Sequence, residues 1–272
     1  MTEVNGVIAT IAYGLSRRYG TPIPLLQVAE DELIQVVCDD YGSNSFDGLT
    51  WFEPRTEEFY IHLNTNPIKK NYLGSNKGRF TLAHELGHYF IPNHRLGLMN
   101  GDLKPHGSIS YLTDFSSWQV EREADSFAST LLMPSKSVKD IIHGRPFNFH
   151  LIEEIATTFQ VSKSAAALRF AQIGNYPIMI VFAVDGKIRW VKHSADFPFW
   201  RLRYGSSKGD RVPEYTVMGT YFNDNDSSDC RKAETIYAQD CFSTRSVEDN
   251  LRQFYEWCIE YQNCAISVFW EK

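Results

Sequence analysis

Five consecutive residues, His84-Glu85-Leu86-Gly87-His88, constrain this chain more than any other stretch. On a helix, residues four apart lie one above the other on the same face. His84 and His88 can then aim two imidazoles at one metal ion, with Glu85 on the flank beside them. Two neutral nitrogen ligands and an adjacent carboxylate suit metal-assisted hydrolysis, the carboxylate taking the proton of the attacking water. The pattern has meaning only on a helix, and its flanks supply one. Phe80, Ala83, Leu86, Gly87 and Phe90 recur at helical spacing, and Pro92 ends the helix after Ile91. Ser75 or Asn76 suits the N-cap. Gly87 costs about 1 kcal/mol against alanine, which makes sense where another backbone passes close by.

Catalytic zinc usually takes three protein ligands and leaves one position to water. Two residues compete for the third place. His94 lies six residues after His88, the spacing of the metzincins, but Ile91 stands where that pattern needs a turn-forming glycine. The favoured candidate is on the next helix, WQVEREADSFASTLLM over 118–133. Val120, Ala124, Phe127, Ala128, Leu131 and Leu132 form its apolar stripe. Glu121 falls roughly 60° from the centre of that stripe, inside the apolar arc. An unpaired buried carboxylate is costly, and a metal ion gives it a reason. Glu123 falls at the far edge and reads as solvated. Asp125, one turn after Glu121, is placed to accept a hydrogen bond from the outer nitrogen of a ligand histidine and fix its tautomer.

Arg79-Phe-Thr-Leu-Ala-His-Glu-Leu-Gly-His88 followed by Glu121-Arg-Glu-Ala-Asp-Ser-Phe-Ala-Ser-Thr-Leu-Leu-Met-Pro134 resembles the ImmA/IrrE family of zinc metallopeptidases. Residues 151–170 resemble, more loosely, the family's helix-turn-helix-like pair. The resemblance covers about residues 5 to 172. It implies a cytoplasmic peptidase that holds Zn2+ on His84, His88 and Glu121 and uses Glu85 as general base. It implies a protein substrate, a helix-turn-helix transcriptional repressor whose single cleavage opens a stress- or phage-related gene programme. It also implies an activator, a small molecule or single-stranded DNA. The competing reading is a ligand- or DNA-sensing regulator whose peptidase fold is vestigial. The intact Glu85 counts against it, because a bare metal scaffold has no use for a general base.

The expected fold class is α+β. A zincin-like metallopeptidase domain spans 1–174, with a helix over 7–19, a short helix toward Asp31 and strands over 33–38, 48–52 and 58–64. Such a sheet can present an edge strand to a peptide. Residues 94–117 read as a loop over the cleft, in which His106 and Tyr111 could stabilise an oxyanion, with an ordinary surface role favoured for each. The helix-turn-helix-like pair 151–173 closes this domain. Glu153 and Glu154 flank it and only Lys163 and Arg169 are basic, so packing is favoured over DNA reading.

Beyond Gly174-Asn175, residues 175–272 read as a mixed α/β sensor or regulatory domain, GAF-like in some relatives. Its expected strands are 178–184, 187–191, 214–222, 233–242 and 264–270, with a helix from Leu251 to Ile259 and a hairpin at Asp185-Gly186. The acidic run 223–229 reads as a solvated loop. A net charge of −6 argues against broad nucleic-acid binding. Five cysteines without a C-x-x-C pair read as free thiols in a reducing compartment. No apolar run is long enough to span a membrane, and no leader peptide is visible.

Overall fold

The computed structural model describes residues 6–43, 45–66, 71–103, 115–203 and 208–272. Contacts group the chain into two compact units, one of residues 1–137 and 155–162, the other of 138–154 and 163–272.

The first unit opens with α1 (Gly6–Tyr19) and α2 (Leu25–Asp31). Three strands follow: β1 (Gln35–Asp39), β2 (Gly48–Glu53) and β3 (Glu58–Asn64). Their order is β1-β3-β2, with β1 parallel and β2 antiparallel to the central β3. Alternation fixes the register of β3: Phe59, Ile61 and Leu63 are buried, whereas Tyr60 and His62 are not. Helix α3 (Asn76–Phe90) carries the His-Glu pattern. The Ser75 hydroxyl accepts from the Gly78 amide at 3.0 Å and starts the helix. Pro92 ends α3 and, at the first position where a proline is tolerated, opens α4 (Pro92–Asn100). The expected loop from residue 94 is therefore helical up to Asn100, where Gly101 at φ +75 stops it. His106 and Tyr111 lie outside the described residues.

Helix α5 (Phe115–Leu132) packs against both α3 and α1. Phe127, Ala128 and Leu131 on α5, Leu82 and Leu86 on α3, and Ile61 and Leu63 on β3 are all buried, and α3 packs against both α5 and β3. The approach is close at Gly87. A Cβ there would lie 3.1 Å from the Phe127 ring and 3.3 Å from the Ala124 Cα, so the glycine admits the α5 backbone. The Arg79 guanidinium, buried, donates to the carbonyls of Ile23 and Gln160, both at 3.2 Å, and ties α3 into its own unit.

Helices α6 (Ser135–Ile142) and α7 (Phe149–Phe159) precede α8 (Lys163–Ile173). Between α7 and α8, Gln160 at φ +52 makes the break. The two basic residues of this pair are engaged: Lys163 ion-pairs with Glu153, and Arg169 is buried.

The second unit is built on one antiparallel sheet. Its strands are β4 (Ile178–Val184), β5 (Lys187–His193), β6 (Ala233–Tyr237), β7 (Gln253–Tyr261) and β8 (Cys264–Glu271), in the order β5-β4-β8-β7-β6. Helix α9 (Val217–Asp224) packs on β7 and β8, and two short helices, α10 (Ala238–Cys241) and α11 (Val247–Leu251), lie between β6 and β7. Phe197, Phe199, Phe242, Phe254 and Phe269 form its core with Met179, Val181 and Met218. All five cysteines are free thiols.

Three expectations for this unit are corrected. Residues 217–224 are helix, not strand: the Thr216 hydroxyl accepts from Gly219, and the Glu256 carboxylate accepts from the Val217 and Met218 amides at 2.7 and 3.1 Å. Residues 253–261 are strand, not helix, with Phe254, Glu256 and Cys258 buried on one face. The strand expected to reach Phe242 ends at Tyr237, where α10 begins.

Candidate metal centre

Helix α3 presents His84 and His88 on one face, and α5 presents Glu121 and Asp125 on the side turned toward them. His84 Nε2 lies 3.1 Å from Glu121 Oε2 and 3.2 Å from His88 Nε2. His88 Nε2 lies 3.6 Å from Glu121 Oε1. Among the described residues, these three form the group able to hold a metal ion, with ligand atoms all within 4.8 Å of one another. Asp125 Oδ1 stands 2.9 Å from His84 Nδ1. With Nδ1–H donating to Asp125, His84 turns the lone pair of Nε2 toward the other two ligand atoms.

This donor set fits a metal cation. Two imidazole nitrogens and a carboxylate oxygen converge in a buried place, and their lone pairs repel unless a positive charge lies among them. The electrostatics favour a positive charge here. Burial opposes one on His84, yet the Asp125 and Glu121 carboxylates outweigh it and hold its pKa up at about 10, and a metal ion would take the place of the proton at Nε2. Two nitrogens and one carboxylate oxygen are a set that divalent zinc accepts.

Glu85 is fully enclosed. Burial pushes its carboxyl above the usual range, while the charge of His84 and the Thr50 hydroxyl pull it back. Thr50, on β2, donates to Glu85 Oε2 at 2.7 Å. The other oxygen, Oε1, faces Gly48 of the same strand, where a Cβ would lie only 2.5 Å away. Strand β2 is thus the sheet edge that runs past Glu85, and its glycine leaves the carboxylate room. Neither Thr50 nor Gly48 was singled out from sequence; a strand beginning on glycine is the signal that could have raised the second.

His94 is brought near the site without joining the ligand group. Its ring centre is 5.2 Å from that of His88, and its Nε2 meets Glu123 Oε2 at 3.0 Å. Burial holds the imidazole below its ordinary pKa against the pull of Glu123. A neutral His94 therefore donates Nε2–H to Glu123, and the buried Nδ1 has no partner among the described residues. Glu123, expected to be solvated, is instead this histidine's acceptor and also takes a hydrogen bond from Gln119.

A helix-borne His-Glu-x-x-His, a glutamate on the next helix and a small sheet beside them define a metallopeptidase domain. Residues 68–171 match the family model described as the IrrE N-terminal-like domain. The chain is 26% identical over 151 residues to the metallopeptidase ImmA of Bacillus subtilis (strain 168), an alignment covering 55% of this chain and 76% of that protein. A solved structure described as a Mycobacterium tuberculosis transcriptional regulator shares the fold at a TM-score of 0.56 and 13% identity, covering 98% of this chain and 76% of that one. Over these residues the chain is similar to the ImmA/IrrE family of metallopeptidases.

Proposed function

We propose that this protein is a zinc-dependent endopeptidase that cuts a helix-turn-helix transcriptional repressor, and so releases a stress- or phage-related gene programme. The observation that carries the reading is the convergence of His84, His88 and Glu121 with Glu85 held beside them by Thr50. A bound zinc ion would polarise the scissile carbonyl and make water a better nucleophile near neutral pH.

The chain's own groups supply the rest. Thr50 holds Glu85 through Oε2, and the Glu85 carboxylate takes the proton of the attacking water. The same carboxyl then returns that proton to the departing amine nitrogen. Asp125 holds the His84 tautomer that keeps Nε2 unprotonated. His94, fixed by Glu123, packs beside the His88 ring. An extended peptide adds to the free edge of β2, where main-chain hydrogen bonds seat it next to Glu85.

We further propose that residues 1–174 are the zincin-like peptidase domain, with 151–173 serving as packing helices, and that 175–272 form a cytoplasmic sensor domain of GAF-like type. No described helix is long and apolar enough to cross a membrane. Cleavage of a co-encoded helix-turn-helix protein by the full chain, abolished by Glu85→Gln, tests the reading. Cleavage by that variant at the normal rate would remove Glu85 from the mechanism.

A further inference from the structure

We infer that the second unit holds a binding site for a small zwitterion, a free amino acid or dipeptide with an apolar side chain. The site is a cavity of about 580 Å³ at the turn joining β4 to β5. That volume lies within the range of small-molecule sites.

Its walls are of two kinds. Val212 and Pro213 are buried and Phe222 half-buried, and together they offer an apolar surface. Gly186, at φ +71, makes the turn and lies within van der Waals reach of Phe222. The other kind is charged. Lys187 and Arg211 both line the cavity, and they are paired directly across an antiparallel bridge. Like charges opposite one another on paired strands repel. Among the described residues, no ion pair neutralises either. Asp185, Glu214 and Asp240 line the same cavity, also without an ion pair.

An anionic group set between Lys187 and Arg211 would turn that repulsion into two charge-assisted hydrogen bonds. An ammonium would do the same for the carboxylates. Two cations against three carboxylates leave the lining slightly negative, which disfavours a phosphate-rich ligand and suits a molecule with one charge of each sign. The apolar wall takes the side chain. The inference gives a ligand to the proposed sensor role of residues 175–272 and rests on that reading for its consequence, while binding itself is independent of proteolysis.

Isothermal titration of the full chain with L-phenylalanine and with glycyl-L-phenylalanine tests it and separates the two sources. At least one should bind saturably, with Kd below about 1 mM. Phenethylamine, which lacks the carboxylate, and 3-phenylpropionate, which lacks the amine, should each bind at least about tenfold more weakly. The double variant Lys187→Ala/Arg211→Ala should weaken the zwitterion by about tenfold or more with an unchanged circular dichroism spectrum. No saturable binding of either zwitterion overturns the inference. So does binding of 3-phenylpropionate or AMP as tight as that of the zwitterion. Should the double variant misfold, the ligand series on the unaltered chain still decides. Zwitterion binding that leaves repressor cleavage unchanged would keep the site and remove the sensor role.

Discussion

The Thr50 hydroxyl on the edge strand donates to Glu85 Oε2 on the metal-site helix at 2.7 Å, joining the strand proposed to seat substrate to the group proposed to move its proton. A hydrogen bond to a charged group contributes about 1.5–3 kcal/mol. Thr50→Val keeps the shape and removes the donor. It should lower kcat about tenfold to a hundredfold, with little change in KM. Losing a donor that favours the ionised form should also move the acid limb of the pH–rate profile upward. An unchanged profile with unchanged kcat would make Thr50 a packing residue only.

Glu85→Gln preserves shape and cannot accept the proton. Turnover should fall by at least about 100-fold while zinc content stays at that of the unaltered chain. Single-turnover cleavage, with metal measured on the same sample, checks both halves.

Asp125 is half-exposed, yet its carboxylate holds His84 Nδ1. Asp125→Asn can still accept from Nδ1–H, but without the charge. Zinc affinity should fall about tenfold, and Asp125→Ala should cost more, toward about 100-fold. Competition against a fluorescent chelator gives both numbers. Equal affinity in all three proteins would reduce Asp125 to a surface residue.

Glu256 supplies a pH dependence away from the metal. Burial raises its carboxyl from 4.5 to about 7, while Ser267 and the Val217 and Met218 amides favour the ionised form. The native state therefore binds this proton more tightly than the unfolded chain does. The stabilisation is fully present below about pH 4.5 and is lost as pH rises through about 7. Its size is on the order of 3 kcal/mol. Urea unfolding of Glu256→Gln, compared with the unaltered chain at several pH values, should show a flatter profile across that window. Parallel profiles would show that Glu256 does not titrate there.

The same residue explains why the candidate metal group could be picked out of the sequence and much of the second unit could not. The pattern over 80–90 and the stripe over 120–132 are local, so helical periodicity places His84, His88, Glu121 and Asp125 without knowledge of the fold. Residues 217–224 hold β-favouring Val217, Thr220, Tyr221 and Phe222, and their helix is secured by a carboxylate from a strand more than thirty positions away. That carboxylate also hides its own strand. Phe254 and Cys258 alternate properly only if the polar Glu256 between them is counted as buried. Without it, Leu251, Phe254, Tyr255, Cys258 and Ile259 fall on helical spacing. His94 and Glu123 were separable only in space, since their hydrogen bond joins α4 to α5.

The central claim is the ligand set, and zinc content measured by plasma mass spectrometry on purified single variants tests it most directly. The unaltered chain should hold about one zinc per chain. His84→Ala, His88→Ala and Glu121→Ala should lose it, and His94→Ala, whose residue is held by Glu123, should keep it. Zinc retained by a folded Glu121→Ala protein and lost from His94→Ala would contradict the account, because the third ligand would then lie on α4 and not on α5.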